Sequence, residues 1–408
     1  MSKIFFINRF FYPDHSATSQ ILTDLAWHLT GRGCVVHVIT SGQSYDNPGA
    51  RLRSEEVIQG VRVHRVASTG FGRAGLLGRL LDYISFYWSA LAMLWRLVQA
   101  GDVVVVKTDP PLLSVPAALV AKAKRALLVN WLQDVYPEVA IELGVPFLRG
   151  PIGWLIAKCR DLSLRSAAAN VVLGERMRAL LVSKNVQPES VFCIPNWCDD
   201  SEITEVAHAD NPLKSEWKLE NKFVVGYSGN LGRAHDYQTM LAAAELLRDR
   251  PEIVFLMIGG GHQVKDLARE VELRGLAGAF CFKPYQPREQ LKQSLCLPDV
   301  HWLSLEPALE GLIVPSKFYG IAAAARPTIA VGDLKGEIGG LVRQYACGIA
   351  IAKGDGRGMA DAILSLYENA EQRSLMGRNA RKMIDDHAGR GRSLAAWESL
   401  LVRLSLPR

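Results

Sequence analysis

A chain of 408 residues is too long for one ordinary hydrophobic core, so two domains of roughly 200 residues each are expected. With 49% hydrophobic and 22% charged residues the composition is that of a globular protein, which excludes a disordered or fibrous chain. The formal net charge of +6 is mild; it suits a membrane surface or an anionic small molecule as well as nucleic acid and selects none of them.

From the N-terminus, "KIFFINRFF" reads as a strand and "SATSQILTDLAWHLTGRG" as an amphipathic helix ending at Gly31 or Gly33. The short apolar run ends at Asn8 and Arg9, without signal-peptide architecture. "CVVHVITS", "VRVHRVAS", "DVVVVKTD", "LLVNWLQD", "NVVLGE" and "SVFCIPNW" are further strands. Strands this apolar, separated by helices, imply a parallel sheet covered on both faces.

Between them, residues 73–97 carry Arg73, Arg79 and Arg96 around an apolar centre with Tyr83, Phe86, Tyr87, Trp88 and Trp95. The segment reads as lying on the membrane surface with its arginines on lipid phosphates, where it could also dock in the groove that a polyprenyl-linked acceptor enters, or as a long core helix beneath the sheet. Lys122, Lys124, Arg125, Lys158 and Arg160 would thicken a positive face. No uninterrupted apolar stretch of about eighteen residues encodes a membrane span. Seven cysteines form no CxxC pair and read as reduced core thiols. Together these features suggest a cytoplasmic protein, soluble or peripheral on the inner face of the cell membrane.

The polar stretch Asn196 to Asn221 reads as a linker, and the strand–helix rhythm restarts at Lys222 with "FVVGYSGNLG", "IVFLMIGGG", "AFCFKPY", "DVHWLSLE", "PTIAVGD" and "GIAIAKGD". The expected fold is therefore α/β, two Rossmann-like doubly wound domains facing across a cleft: residues 1–200, residues 201–385, and a helix over 386–408 packing back on the first domain. Such sheets bind ligands outside the carboxyl ends of their strands.

Three loops of the second half suit a phosphate. "YSGNLGRAHD" presents Gly229, Asn230 and Gly232 with Arg233, and "MIGGGHQVKD" presents Gly260; a tight strand-to-helix turn explains both equally. "LEGLIVPSKFYGIAAAARP" contains Glu310, Gly311, Leu312, Ile313 and Val314, and predicts a helix starting near Pro315 with Lys317 one turn in. With Arg233 nearby, Lys317 would complete a diphosphate clamp. The alternative is a buried helix carrying a surface lysine.

These stretches, with "FKPYQPREQL", "TDPPLL", "LQDVYPEVAIELG" and "IPNW", make the chain similar to the GT-B glycosyltransferases of family 4, in the bacterial polysaccharide and O-antigen branch of the fucosyl and N-acetylfucosaminyl transferases. The resemblance implies a retaining hexosyltransferase. Its UDP- or GDP-sugar donor is a substrate bound in the second domain, and a polyprenyl-linked or saccharide acceptor binds in the first. It implies no cofactor, no metal and no nucleic-acid partner. Arg233 and Lys317 would stabilise the leaving group, and Asp134 stands where relatives often place a His against the donor sugar; an Asp capping the following turn is the other reading. Asp14, His15 and Ser16 replace the family's paired glycines and would read the acceptor, as would Asp109; an N-cap explains the first three as well. Tyr285 falls near the nucleobase, although a packing role explains it equally, and Glu337 falls near the donor sugar. The family's paired glutamates, the second of which grips the ribose, are replaced by Leu312 and Gly320, and Asn230 stands for a common Arg. Two other readings remain open, a nucleotide-sugar epimerase of the same fold and a non-catalytic nucleotide-sugar-binding protein.

Overall fold

The computed structural model describes residues 2–14, 16–43, 52–71 and 76–406. They form two units, Met1–Pro195 with Gly391–Arg408, and Asn196–Arg390. The chain thus passes between units at Pro195–Asn196 and at Arg390–Gly391, rather than after residues 200 and 385.

In unit 1, β1 (Ile4–Ile7), β2 (Val36–Ser41), β3 (Glu55–Ile58), β4 (Val61–Val66), β5 (Val103–Lys107), β6 (Leu127–Trp131), β7 (Ala169–Val172) and β8 (Val191–Cys193) form one sheet. Its order is β3-β4-β2-β1-β5-β6-β7-β8. All neighbours are parallel except β3, which runs antiparallel to β4 at the edge. Continuous burial of β1, β2, β5 and β7 is what two covered faces require. The C-terminal helix Arg390–Ser405 completes this unit: Trp397 packs on Trp131 with ring centroids 4.4 Å apart, and both side chains are fully buried.

The helix Leu76–Leu97 combines features of the two readings drawn from its sequence. Phe86, Ala90, Leu94 and the adjoining Val98, four residues apart, are buried on the sheet. Leu80, Leu81, Ile84, Trp88 and Trp95 are exposed on its outer side. Arg73 lies outside the described residues.

In unit 2, β9 (Phe223–Asn230), β10 (Ile253–Gly260), β11 (Phe280–Lys283), β12 (Val300–Ser304), β13 (Thr328–Gly332) and β14 (Gly348–Ala352) form an all-parallel sheet of order β11-β10-β9-β12-β13-β14. This is the strand order of doubly wound nucleotide-binding folds, with the order reversing between β9 and β12. Those two strands pair only at Val300↔Val225 and His301↔Gly226, so they part toward their carboxyl ends and leave a crevice.

Residues 196–221 are not a loose linker. Leu213, Trp217 and Leu219 pack with Val224, Leu256 and Ile258 on one face of this sheet. Asn211 accepts a hydrogen bond from Leu213 N at 3.1 Å, capping the short helix Pro212–Glu216. The segment's polarity hides an apolar pair at i, i+4, which is why it belongs to unit 2.

Candidate functional site

The helix after β12 runs Lys317–Ala323, so Lys317 is its first residue, not one turn in, and Pro315 precedes it. Ala322 to Ala325 are buried, letting the chain lie close against the sheet. The Lys317 side chain extends into the crevice between β9 and β12. Its Nζ lies 3.0 Å from His235 Nε2 and 5.4 Å from the centroid of the Tyr227 ring. His235 Nδ1 lies 2.5 Å from the Ser304 carbonyl at the end of β12. Burial pushes the Lys317 ammonium down to about 8. Burial first, and the Lys317 charge second, hold the His235 imidazole at about 4.

Backbone shape at the strand ends makes room for these groups. Gly229 has φ +125°, and a Cβ there would lie 2.8 Å from Lys317 Cε. Gly259 and Gly260 lie under the exposed Tyr285 ring, 3.1 Å from where each Cβ would stand. Beside them a pocket of about 220 Å³ opens at the ends of β9, β10 and β11, lined by Tyr227, Gly229, Gly259, Gly260, Lys283 and Pro284 among others.

Other sequence candidates are placed differently. Arg233 is exposed, with Nη2 3.1 Å from His262 Nε2, so the two cations expected to form one clamp take separate partners. Asn230 and Gly232 lie in the same loop, the Asn230 amide packed against Gly261 and Gly232. Glu310 Oε1 accepts from Glu337 N at 2.6 Å, so its carboxylate sits on the first turn of the helix Glu337–Gln344. Gly311 turns with φ +76°. Leu312 and Val314 are buried and Ile313 half-buried, so this loop offers the crevice backbone more than side chains. Gly320 faces Leu295: a Cβ there would lie 3.5 Å from Leu295 Cδ1.

Unit 1 gathers carboxylates at the ends of β1, β5 and β6. Asp14 is buried and its Oδ1 accepts from Ser16 N at 2.8 Å. Ser16 occupies the cap position of the helix Ala17–Gly31, but its hydroxyl makes no capping bond. His15 lies outside the described residues. Asp109 accepts from Thr18 Oγ1 at 3.2 Å, and burial raises its carboxyl above the ordinary range. Burial, reinforced by Asp109, pushes Asp134 up to about 7. Below them Lys107 Nζ donates to Thr18 O at 3.0 Å and lies 3.8 Å over the Trp131 ring; burial lowers it to about 7. Among the described residues no group of three His, Cys, Asp or Glu is placed to hold a metal ion.

Sequence reasoning missed Lys107 and His235. The first is hidden in a strand; the second stands in the quoted "GRAHD", where only its burial distinguishes it from a loop residue.

Comparison with known proteins relates both units to glycosyltransferases. Residues 17–197 match the family model "Glycosyl transferase 4-like domain" and residues 211–383 match "Glycosyl transferases group 1". The chain is 31% identical over 251 residues to the glycosyltransferase WbjE of Pseudomonas aeruginosa, spanning 61% of this chain and 62% of that protein. It is 28% identical over 282 residues to WcaI of Escherichia coli, a glycosyl transferase named for colanic acid biosynthesis, spanning 67% and 68%. The fold is shared with HepE of Anabaena in complex with UDP-glucose, at a TM-score of 0.73 and 15% identity over 99% of this chain and all of that one.

Proposed function

Because the chain belongs, through both of its domains, to the GT-B glycosyltransferases of family 4, we propose that it transfers a sugar from a UDP- or GDP-linked donor to a lipid-linked or saccharide acceptor. The transfer retains the anomeric configuration and contributes to a bacterial surface polysaccharide such as O-antigen. The observation that carries this reading is the Lys317 ammonium held in the crevice between β9 and β12, beside a pocket of about 220 Å³. HepE, which shares the fold, binds UDP-glucose.

In this reading unit 2 holds the donor. The base enters the pocket with Tyr285 at its mouth, and the diphosphate meets Lys317 and the free N–H groups of the glycine turns. There is little covalent chemistry for these groups to perform. As the glycosidic bond breaks, negative charge builds on the leaving diphosphate, and a fixed ammonium in a half-buried crevice stabilises it more than water does. Arg233 reaches the diphosphate by leaving His262. The buried Leu312 and the missing side chain at Gly320 leave no carboxylate at the family's ribose positions, so ribose is held by backbone groups of the 309–314 loop. Unit 1 receives the acceptor at Asp14 and Asp109, and Asp134, whose carboxyl burial pushes up to about 7, is the catalytic residue of this unit.

Attachment to the inner membrane surface, proposed for residues 73–97, is supported by charge as well as apolarity. Among the described residues of the helices Leu76–Leu97, Ser114–Lys124 and Pro151–Ser166, both acids are buried and paired: Asp82 with Arg9, Asp161 with Arg160. Arg96, Lys122, Lys158 and Arg165 are exposed, as are Trp154 and Leu155, whereas Arg160, expected on the positive face, is buried against Glu138.

The test is thermal stability against UDP, GDP and their sugars, with Lys317→Ala alongside. A nucleotide at a hundred times its dissociation constant adds about 2.7 kcal/mol. Stabilisation of the wild type by one nucleotide and not of the variant supports the donor site; no stabilisation by any of them would refute it.

A further inference from the structure

We propose that His235 is a positioning residue, which holds the Lys317 ammonium toward the nucleoside diphosphate without cancelling its charge. This rests on the donor-site reading above. A carbonyl oxygen only accepts, so the 2.5 Å contact with Ser304 O places the imidazole proton on Nδ1. Nε2 is left as a lone pair, and the ammonium 3.0 Å away donates to it. The tautomer is thus fixed by one backbone atom at the end of β12, and the direction of Lys317 is fixed by the tautomer.

The chemical identity of the partner matters. A carboxylate in this place would bind the lysine more strongly, but it would neutralise the cation and compete with phosphate. A neutral imidazole orients the ammonium and leaves the full positive charge for a ligand. The nearby charged and titratable groups take other partners: Arg233 meets His262, Glu306 meets Lys353, Glu310 meets Glu337 N, Asp236 meets Thr239, and the Tyr227 hydroxyl donates to Asn230 O. The support is rigid. His235 is buried, its own carbonyl accepts from Gln263 Nε2 at 2.9 Å, and the neighbouring Ala234 carbonyl accepts from Glu306 N at 2.9 Å. Gly229 completes the arrangement by leaving space beside Lys317 Cε.

Two amide substitutions separate the roles of the two ring nitrogens. In His235→Asn the amide matches Nδ1, keeps the bond to Ser304 O and loses the acceptor for Lys317. In His235→Gln the amide oxygen takes the place of Nε2. Binding of UDP, GDP and inorganic pyrophosphate is measured by titration calorimetry from pH 6 to pH 9, with wild type and Lys317→Ala as references and unliganded melting as a check on folding. In the wild type, affinity falls as pH rises through about 8, where Lys317 loses its proton. In His235→Asn the ammonium has lost an acceptor that favoured its charged form, so affinity is about tenfold lower at neutral pH and the alkaline fall moves to lower pH. His235→Gln keeps the wild-type affinity and profile.

If Lys317→Ala loses binding while His235→Asn binds with wild-type affinity and pH profile, the positioning role is overturned and the donor site stands. Equal losses in both amide variants would likewise overturn it, reducing His235 to packing. If Lys317→Ala binds as the wild type does, or none of the three probes binds the wild type, the donor-site reading falls and this inference with it.

Discussion

Replacing Gly229 by Ala perturbs the crevice through a single methyl group. The added Cβ would stand 2.8 Å from Lys317 Cε, whereas carbon atoms in contact settle at about 3.5–4.0 Å. The lysine chain therefore moves by about 1 Å, which lengthens its 3.0 Å bond to His235 past useful range. The ammonium is then no longer held toward the ligand, and a loss of about 1.4 kcal/mol from its charge-assisted interaction with the diphosphate is tenfold in affinity. Nucleoside diphosphate binding should weaken by about tenfold, as in His235→Asn. Separately, φ of +125° is strained for any residue with a side chain, costing about 1–3 kcal/mol of stability. For a unit of this size that lowers the melting temperature by about 2–4 °C per kcal/mol. Titration calorimetry with UDP and GDP gives the first quantity and differential scanning calorimetry the second. A variant that melts lower but binds as the wild type does would refute the link between this glycine and the lysine. Unchanged melting as well would refute the strain.

Trp397→Ala removes half of the buried Trp131–Trp397 contact and should cost unit 1 about 3–5 kcal/mol; urea unfolding followed by tryptophan fluorescence measures it, with unit 2 unfolding at its usual midpoint. Replacing the exposed Trp88 and Trp154 by Glu should abolish co-sedimentation with phosphatidylglycerol vesicles while leaving nucleotide binding intact; undiminished sedimentation would exclude this face as the membrane contact.

The strands were legible because runs such as "VVVVK" and "IVFLMI" allow little else, and both sheets contain them where expected. β3 escaped because "EEVI" alternates exposed and half-buried residues, as an antiparallel edge does. The Asn196–Asn221 segment reads as a linker because Leu213 and Trp217 are outnumbered by polar neighbours. At the site, Lys317 was identifiable from its place after a strand and a Pro. Its pairing with His235, the pairing of Arg233 with His262 and the seat of Glu310 on Glu337 N depend on which side chains the folded loops bring together. Spacing in the chain carries no record of that choice.

The two crossings of the chain between units set an order of assembly. Unit 1 closes only when residues from Gly391 onward arrive, and these leave the ribosome after the whole of Asn196–Arg390. Until then Trp131 lacks the indole that covers it. Unit 2, uninterrupted in sequence, is free to fold first, although it is synthesised second. A nascent chain thus carries a folded second unit while its older half still exposes apolar surface, until the helix Arg390–Ser405 covers it.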